Sequence, residues 1–231
     1  MGRGDTAVNS AVLFDFGGTL DADGVAWKER FHRHFEAEGV HAEPARFDPI
    51  FYAADDALVG TVPETLSLDE TVERVATAVA AALRPGDARL GSRVAARFLS
   101  EARACFAANA PVLERLARRH RLGVVSNFYG NLSTVCDNAN VRRYFDVIVD
   151  SAQIGLLKPD PRIFLAAIET LGIEPARTVM VGDSLARDMA GARAAGMAHI
   201  WLASDSARHG PPCCQEDRVI RSLREVEGLL L

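Results

Sequence analysis

An aspartate stands at the end of a short apolar run near the start of the chain, and two glycines follow it closely. Asp15 comes directly after the run Ala11–Phe14 and precedes Gly17 and Gly18. Buried strands of a parallel sheet end at the edge where open α/β folds bind ligands. Glycines at such a turn let backbone N–H groups approach an anion. The pattern therefore predicts that Asp15 is a carboxylate nucleophile on a tight turn that accepts an anionic substrate.

Three later segments place polar residues after apolar runs, at residues 122–125, 154–157 and 178–181. Short hydroxyl and amide side chains suit phosphate or carboxylate oxygens, a lysine supplies positive charge, and carboxylates bind hard cations. If each run is a strand, these groups meet Asp15 at one edge of the sheet. The polar residues concerned are Ser126, Asn127, Lys158, Asp183, Ser184 and Asp188.

In order and separation, these four segments resemble the four motifs of the haloacid dehalogenase-like hydrolase superfamily, and the resemblance covers essentially the whole chain. It implies an α/β fold: a Rossmann-like three-layer core with a parallel sheet, plus an inserted all-helical cap domain of the small C1 type. We expect residues 1–20 and 108–231 to form the core domain and residues 21–107 to form the cap.

The resemblance also implies a role for each motif residue. The nucleophile would form an aspartyl-phosphate, and a Mg²⁺ ion would be held by two carboxylates and one backbone carbonyl. The expected catalytic residues are Asp15, Lys158 and Ser126. The expected substrate-binding residues are Gly18, Thr19, Ser126, Asn127 and Lys158. The expected metal ligands are Asp15, Gly17 and Asp183, with Ser184 and Asp188 supporting them from outside the ligand set.

The chain departs from the family pattern at Gly17. Family phosphatases carry a second aspartate there, which protonates the leaving group and then activates water. General acid/base help of this kind contributes about 10²–10⁴-fold to the rate. Another side chain could supply it, and the sequence leaves several open: Asp21, Asp23 and the cap histidines His32, His34 and His41.

The predicted function is a Mg²⁺-dependent hydrolase, a phosphatase of a small phosphorylated metabolite. One alternative is a catalytically impaired phosphate-binding or regulatory protein, because Gly17 replaces the acid/base. A second is a phosphonate hydrolase, whose relatives also lack this aspartate and use a cap lysine, here Lys28. A third is a dehalogenase, although those relatives replace the acidic metal ligand that Asp183 preserves.

Helical periodicity fills the region between the first two motifs, as an inserted cap requires. We predict cap helices over residues 26–38, 45–58, 67–83 and 92–108, the third opened by a capping box from Ser67 to Glu70. In the core, the pattern predicts helices over residues 162–171 and 185–195.

Length, composition and charge exclude some classes of function. The chain has 231 residues, of which 48% are hydrophobic, and a net charge of −5. That length accommodates one α/β core with an insertion, and the acidic balance argues against nucleic-acid binding by bulk charge. No apolar stretch reaches transmembrane length, and residues 1–5 lack the apolar core of a secretory signal. We expect a cytoplasmic protein with a small-molecule partner and no membrane or nucleic-acid partner; the sequence leaves the oligomeric state open.

The scarcity of lysine in the chain supports a specific role for one motif residue. Only Lys28 and Lys158 are lysines among the 26 lysine and arginine residues. A lysine placed after a predicted strand is therefore less typical of the general surface charge of this chain. The composition thus favours a specific role for Lys158.

Overall fold

A parallel sheet of six strands forms the centre of the computed structural model, which describes residues 10–204 and 218–231. The strand order is β3-β2-β1-β4-β5-β6, and every neighbouring pair is parallel. The strands that carry the first, second and fourth motifs therefore lie side by side. Their bounds are β1 Ala11–Phe14, β2 Arg121–Ser126, β3 Val147–Asp150, β4 Thr178–Gly182, β5 Ala198–Leu202 and β6 Arg218–Ile220.

Apolar residues cover both faces of this sheet. In β1, Val12 and Phe14 belong to one buried cluster, whereas Ala11 and Leu13 belong to another. This alternation follows from the two-residue period of a strand, and helices on both faces make the three layers. The predicted α/β core with a parallel sheet is confirmed. Outside the insertion, the helices are α5 Leu132–Asn138, α6 Ser151–Ile154, α7 Pro161–Leu171, α8 Ala190–Ala194 and α9 Val226–Leu230.

Four helices lie between β1 and β2, and they confirm the predicted helical insertion. These are α1 Trp27–Ala37, α2 Pro44–Asp56, α3 Leu68–Leu83 and α4 Leu90–Ala117. The last one is longer than predicted and runs without interruption through residue 107. The domain boundaries at residues 20 and 107 stay a prediction. Within the described ranges, no helix is long and apolar enough to cross a membrane.

The start of α3 follows the predicted capping box. The Ser67 hydroxyl accepts a hydrogen bond from the Glu70 backbone N–H at 3.2 Å, and the Ser67 N–H donates to the Glu70 carboxylate at 3.0 Å. Both bonds satisfy N–H groups that lack partners within the helix.

The segment before Lys158 differs from the prediction. We expected Lys158 to follow a strand, but the strand β3 ends at Asp150 and residues Ser151–Ile154 form the short helix α6. The Asp150 carboxylate accepts a hydrogen bond from the Ala152 N–H at 3.0 Å, which begins the helix, and Gly155 ends it with a φ of 69°. Lys158 thus reaches the sheet edge on a turn after a helix.

Candidate active site

Asp15 lies at the carboxyl edge of the sheet, directly after β1. Its backbone N–H donates to the Val181 carbonyl at 3.0 Å, which extends the pairing with β4 and fixes the residue. One carboxylate oxygen, Oδ1, accepts hydrogen bonds from the Ser126 hydroxyl and the Lys158 ammonium, both at 2.7 Å. Within the described residues, the other oxygen, Oδ2, accepts none. Asp15 is therefore held by one oxygen and presents the other for reaction.

Lys158 bridges two buried carboxylates. Its Nζ atom lies 2.7 Å from Asp15 Oδ1 and 2.6 Å from Asp188 Oδ1, and its side chain is 2% exposed. Asn127 fixes the lysine backbone, since its Oδ1 accepts from the Lys158 N–H at 2.8 Å and its Nδ2 donates to the Lys158 carbonyl at 3.2 Å. The asparagine, which we predicted to bind substrate, thus positions the lysine while also lining the cavity above it.

The fourth motif adds Asp183 and Asp188 beside the nucleophile. Ligand atoms of Asp15, Asp183 and Asp188 all lie within 4.8 Å of one another, and all three residues are buried. The Thr19 hydroxyl donates to Asp183 Oδ1 at 3.3 Å, and the Ser184 N–H donates to Asp188 Oδ2 at 3.0 Å. This set of oxygens is consistent with a divalent metal site.

Glycine at position 18 is required by this packing. Its φ is 90°, in the left-handed region, and a Cβ atom there would lie 2.7 Å from Asp183 Oδ2. A side chain would therefore both strain the turn and displace the second carboxylate.

The surroundings shift the pKa values of Asp15 and Asp183 in opposite directions. Burial raises the pKa of Asp15, but the charge and hydrogen bond of Lys158 outweigh it, with smaller help from Arg187 and Ser126, so that the pKa is lowered. For Asp183, burial and the neighbouring carboxylates Asp15 and Asp188 hold the pKa well above its usual range. Negative charge at Asp183 thus lacks a full counter-charge from the protein, which a bound cation would supply.

An indole ring fills the space beside Gly17. A Cβ atom at this position would lie 3.1 Å from Trp27 Nε1 and 3.2 Å from Trp27 Cδ1. The ring is held by its hydrogen bond to Asp21 Oδ2 at 2.8 Å and by edge contacts with Phe98 and Phe128. A side chain at position 17 would therefore press against this cap residue, and the ring would have to shift by a few tenths of an ångström.

Asp21, one of the proposed substitutes for the missing acid/base, is fully buried and its carboxylate is occupied. Its Oδ1 accepts from the Gly18 N–H at 2.7 Å, and its Oδ2 accepts from Trp27 and from Arg30 Nη1 at 2.5 Å. Both side chains of the Asp21–Arg30 pair are 0% exposed. Asp21 thus joins the catalytic turn to the first cap helix.

The other proposed substitutes lie away from the cavity above Asp15. Asp23 accepts from the Leu223 N–H at 3.2 Å, His32 Nε2 lies 2.7 Å from the Ala42 carbonyl, and His34 Nε2 lies 2.8 Å from Glu101. His41 is exposed. Among the described residues that line the cavity, none is a histidine.

The cavity above Asp15 has a volume of about 250 Å³ and is closed on one side by the cap. Beside the predicted residues Asp15, Gly17, Ser126, Asn127 and Lys158, it exposes polar groups that the motifs did not identify. These are Lys28, Glu29, Tyr52, Asp55, Tyr129 and Arg187.

Of these groups, Lys28 was already a candidate from the sequence, Arg187 and Tyr129 had a signal there, and Asp55 had none. Arg187 lies within the fourth motif, between Asp183 and Asp188, and Tyr129 follows Ser126 closely on the same loop. Asp55 lies on α2, and nothing in the local pattern shows which part of the core this helix meets. Its position depends on how the cap packs on the sheet.

A family model for the haloacid dehalogenase-like hydrolases matches residues 10–196. The chain belongs to this family. The match includes all four loops that meet around Asp15 and the whole helical insertion.

Individual members of the haloacid dehalogenase-like hydrolase family resemble this chain over parts of its length. The bovine (Bos taurus) haloacid dehalogenase-like hydrolase domain-containing protein 3 is 44% identical over 82 residues, covering 36% of this chain and 32% of the relative. Pyrimidine 5'-nucleotidase YjjG of Escherichia coli (strain K12) is 32% identical over 121 residues, covering 52% and 53%. The matched regions thus span about a third and about half of these relatives. A dehalogenase crystal structure with an intermediate complex shares the fold, with a TM-score of 0.66 at 18% identity over 97% of this chain and 98% of that one.

Proposed function

We propose that this hydrolase is a Mg²⁺-dependent phosphatase that removes the phosphoryl group from a small phosphorylated metabolite. The observation that carries the proposal is Asp15, whose Oδ1 is held by Ser126 and Lys158 while Oδ2 has no partner among the described residues. A carboxylate fixed in this way can attack phosphorus without first giving up a hydrogen bond. The nucleotidase activity named for the bacterial relative supports the same class of substrate.

The surrounding charges support attack on an anion. Asp15 and a phosphate repel each other, so the site must supply positive charge before the two can meet. Lys158 touches the nucleophile, and Arg187 lines the cavity on the side of the fourth motif. In our proposal, Lys158 and Arg187 hold the phosphoryl oxygens, and Thr19 and Ser126 orient the carboxylates.

The oxygen-rich cluster supports a magnesium site. Asp15, Asp183 and the backbone carbonyl of Gly17 would hold the ion, and Asp188 would keep Lys158 in place. When bound, the cation offsets negative charge on the phosphoryl group and on the crowded carboxylates. The protein's own contribution is to fix Asp15 through Oδ1 and to leave Oδ2 free to attack phosphorus.

The proposal is tested by phosphate release from p-nitrophenyl phosphate and a panel of phosphomonoesters. We expect release with Mg²⁺, none after EDTA treatment, and loss of activity in Asp183→Asn. The exposed Asp69→Asn, on the outside of the cap, serves as the matched control and keeps full activity. Mg²⁺ should also raise the melting temperature of the wild type and not that of Asp183→Asn. Absence of release across the whole panel would contradict the proposal.

A second candidate function, a stalled phosphoryl acceptor, is favoured by one observation. Position 17 is a glycine with the Trp27 ring beside it, so this position supplies no proton transfer. A stalled acceptor would react with acetyl phosphate to give a long-lived adduct on the intact protein, detected by mass spectrometry. Rapid turnover of phosphomonoesters would rule this candidate out.

The phosphonate-hydrolase alternative depends on Lys28, which does line the cavity. Its ammonium is 2.7 Å from Asp48. Burial lowers the pKa of Lys28, but the Asp48 hydrogen bond and nearby negative groups raise it overall. A lysine that forms a Schiff base must first lose its proton, so this environment opposes that role.

A further inference from the structure

The wall of the cavity that the cap forms carries a carboxyl group to which the four motifs assign no role. Asp55, near the end of α2, accepts a short hydrogen bond on Oδ1 from the Tyr129 hydroxyl. Both side chains line the same cavity as Asp15. Within the described part of the chain, the Asp55 carboxyl group has no other hydrogen bond, so its Oδ2 is available to a molecule in the cavity.

The partner of Asp55 is fixed by the catalytic core. Tyr129 belongs to the loop that begins with Ser126, the residue bonded to Asp15, and it is 5% exposed. Its backbone carbonyl accepts from the Gly60 N–H at 3.1 Å, so two hydrogen bonds join the cap to this residue. The Asp55 carboxyl is therefore held by a buried hydroxyl that has a fixed relation to the nucleophile.

The other polar groups of the cavity are less suited to proton transfer. Lys28 is paired with Asp48, Glu29 is exposed, and Tyr52 is 49% exposed. Asp55 is half-buried and keeps one oxygen unbonded. Because position 17 is a glycine and both oxygens of Asp21 are bonded, the turn offers no free carboxyl for the leaving group, whereas the cap offers Asp55.

We propose that Asp55 is the general acid and base of the reaction, in place of the aspartate that Gly17 lacks, and that Tyr129 is its positioning residue. This inference rests on the proposed phosphatase function. In the first step, Asp15 Oδ2 bonds to phosphorus, the phosphorus–oxygen ester bond breaks, and the ester oxygen takes the bonding pair and a proton from the Asp55 carboxyl. In the second step, the Asp55 carboxylate takes a proton from water and the water oxygen bonds to phosphorus. The bond between phosphorus and Asp15 Oδ2 breaks, and its electron pair returns to Asp15. Both groups end as they began.

The surroundings of Asp55 favour a carboxyl that can hold a proton. Burial, with the neighbouring charge of Asp56, raises the pKa of Asp55 above its usual value, while the hydrogen bond of Tyr129 and the charge of Arg187 act in the opposite direction. Burial and the adjacent carboxylates hold the pKa of Tyr129 well above its usual range, so the phenol stays a donor. An acid must be protonated to act, so activity should fall as pH rises through the pKa of Asp55.

The test compares leaving groups. A poor leaving group, such as an alkyl alcohol, needs a proton, whereas dinitrophenolate leaves without one. We expect Asp55→Asn to lower kcat/KM for an alkyl phosphate by about 10²–10⁴-fold and to change it by less than about 10-fold for dinitrophenyl phosphate. With the latter, the loss of the base should cause a burst and an accumulated phosphoprotein. The control is Asp69→Asn, an exposed carboxylate on the outside of the cap that does not act on Asp55; it should match the wild type for both substrates.

Tyr129→Phe provides a readout that a purely structural contact would not change. Its hydrogen bond stabilises the charged carboxylate and lowers the pKa of Asp55, so its removal should move the basic limb of the pH–rate profile to higher pH. This limb should be absent from Asp55→Asn. If Asp55→Asn fails to fold, the position of this limb in the wild type and in Tyr129→Phe decides the question.

Three results would overturn the inference or the proposed function on which it rests. If Asp55→Asn lowers kcat/KM equally for both leaving groups, Asp55 only fastens the cap and the inference is wrong. If the limb stays in place in Tyr129→Phe, the positioning role is wrong. In both cases Asp15-dependent phosphate release in the wild type keeps the proposed function intact. If the wild type releases no phosphate from any ester, the function and the inference fail together.

Discussion

Asp15 and Asp21 are buried aspartates of the same loop, and their surroundings differ in two respects. Asp21 accepts from Gly18, Trp27 and Arg30 on both of its oxygens. Asp15 accepts only on Oδ1, from Ser126 and Lys158, and shares its pocket with two further carboxylates. A fully bonded, fully paired carboxylate stabilises the fold, whereas one with an open oxygen in a crowded acidic pocket can react. Burial alone does not distinguish the two.

The largest expected effect separates chemistry from stability. Asp15→Asn should lower phosphate release by about 10⁴-fold or more, because an amide is a poor nucleophile, and change the free energy of unfolding by only about 1 kcal/mol. Asp21→Asn should show the opposite: several kcal/mol of lost stability and measurable activity in the molecules that remain folded. Steady-state kinetics and denaturant unfolding of both variants provide the measurements. Equal stability losses would contradict the comparison.

The next effect concerns the counter-charge of Asp21. Arg30→Met leaves this carboxylate buried without its cation and should lower the free energy of unfolding by about 3–5 kcal/mol. Arg33→Met, in the same helix, removes a guanidinium that is 52% exposed and pairs with Glu101, and it should cost less than about 1 kcal/mol. If both variants unfold at the same urea concentration, the Asp21–Arg30 pair does not stabilise the contact between cap and core.

The smallest effect concerns the space beside Gly17. Gly17→Ala brings a methyl group against the Trp27 ring and should cost about 1–3 kcal/mol of stability through overpacking. Gly86→Ala, where a new Cβ meets nothing within 4 Å, is the matched control and should stay within about 0.5 kcal/mol. In a Trp27→Ala background the cost of Gly17→Ala should fall, since the indole ring is gone. A cost that is the same in both backgrounds would show that the indole does not limit this position.

The core of the molecule could be predicted from the sequence because its signals are local. Buried apolar runs predicted the strands that end near Asp15, Ser126 and Asp183, and the Ser67–Glu70 capping box predicted the start of α3. The prediction that a strand leads to Lys158 was wrong, because the Asp150 side chain caps a short helix at this point. The site residues come together in the structure, while their individual roles remain predictions.

The side of the site formed by the cap could not be predicted in the same way. Helical periodicity shows which face of α1 or α2 is apolar, but it does not show which part of the core that face meets. That Trp27 covers Gly17, and that Asp55 meets Tyr129, depends on the packing of separate elements. Gly17 itself was visible as a departure from the family pattern; what fills the space beside it was visible only in three dimensions.

The most direct test of the account is chemical trapping of the phosphoryl group. The wild-type protein, mixed with Mg²⁺ and a substrate found in the phosphatase panel, is quenched in acid and then reduced with borohydride, which converts an acyl phosphate to an alcohol. The account predicts homoserine at position 15 in the peptide mass spectrum, and none in Asp15→Asn. Sustained phosphate release with an unmodified Asp15, or with the modification at another residue, would contradict it.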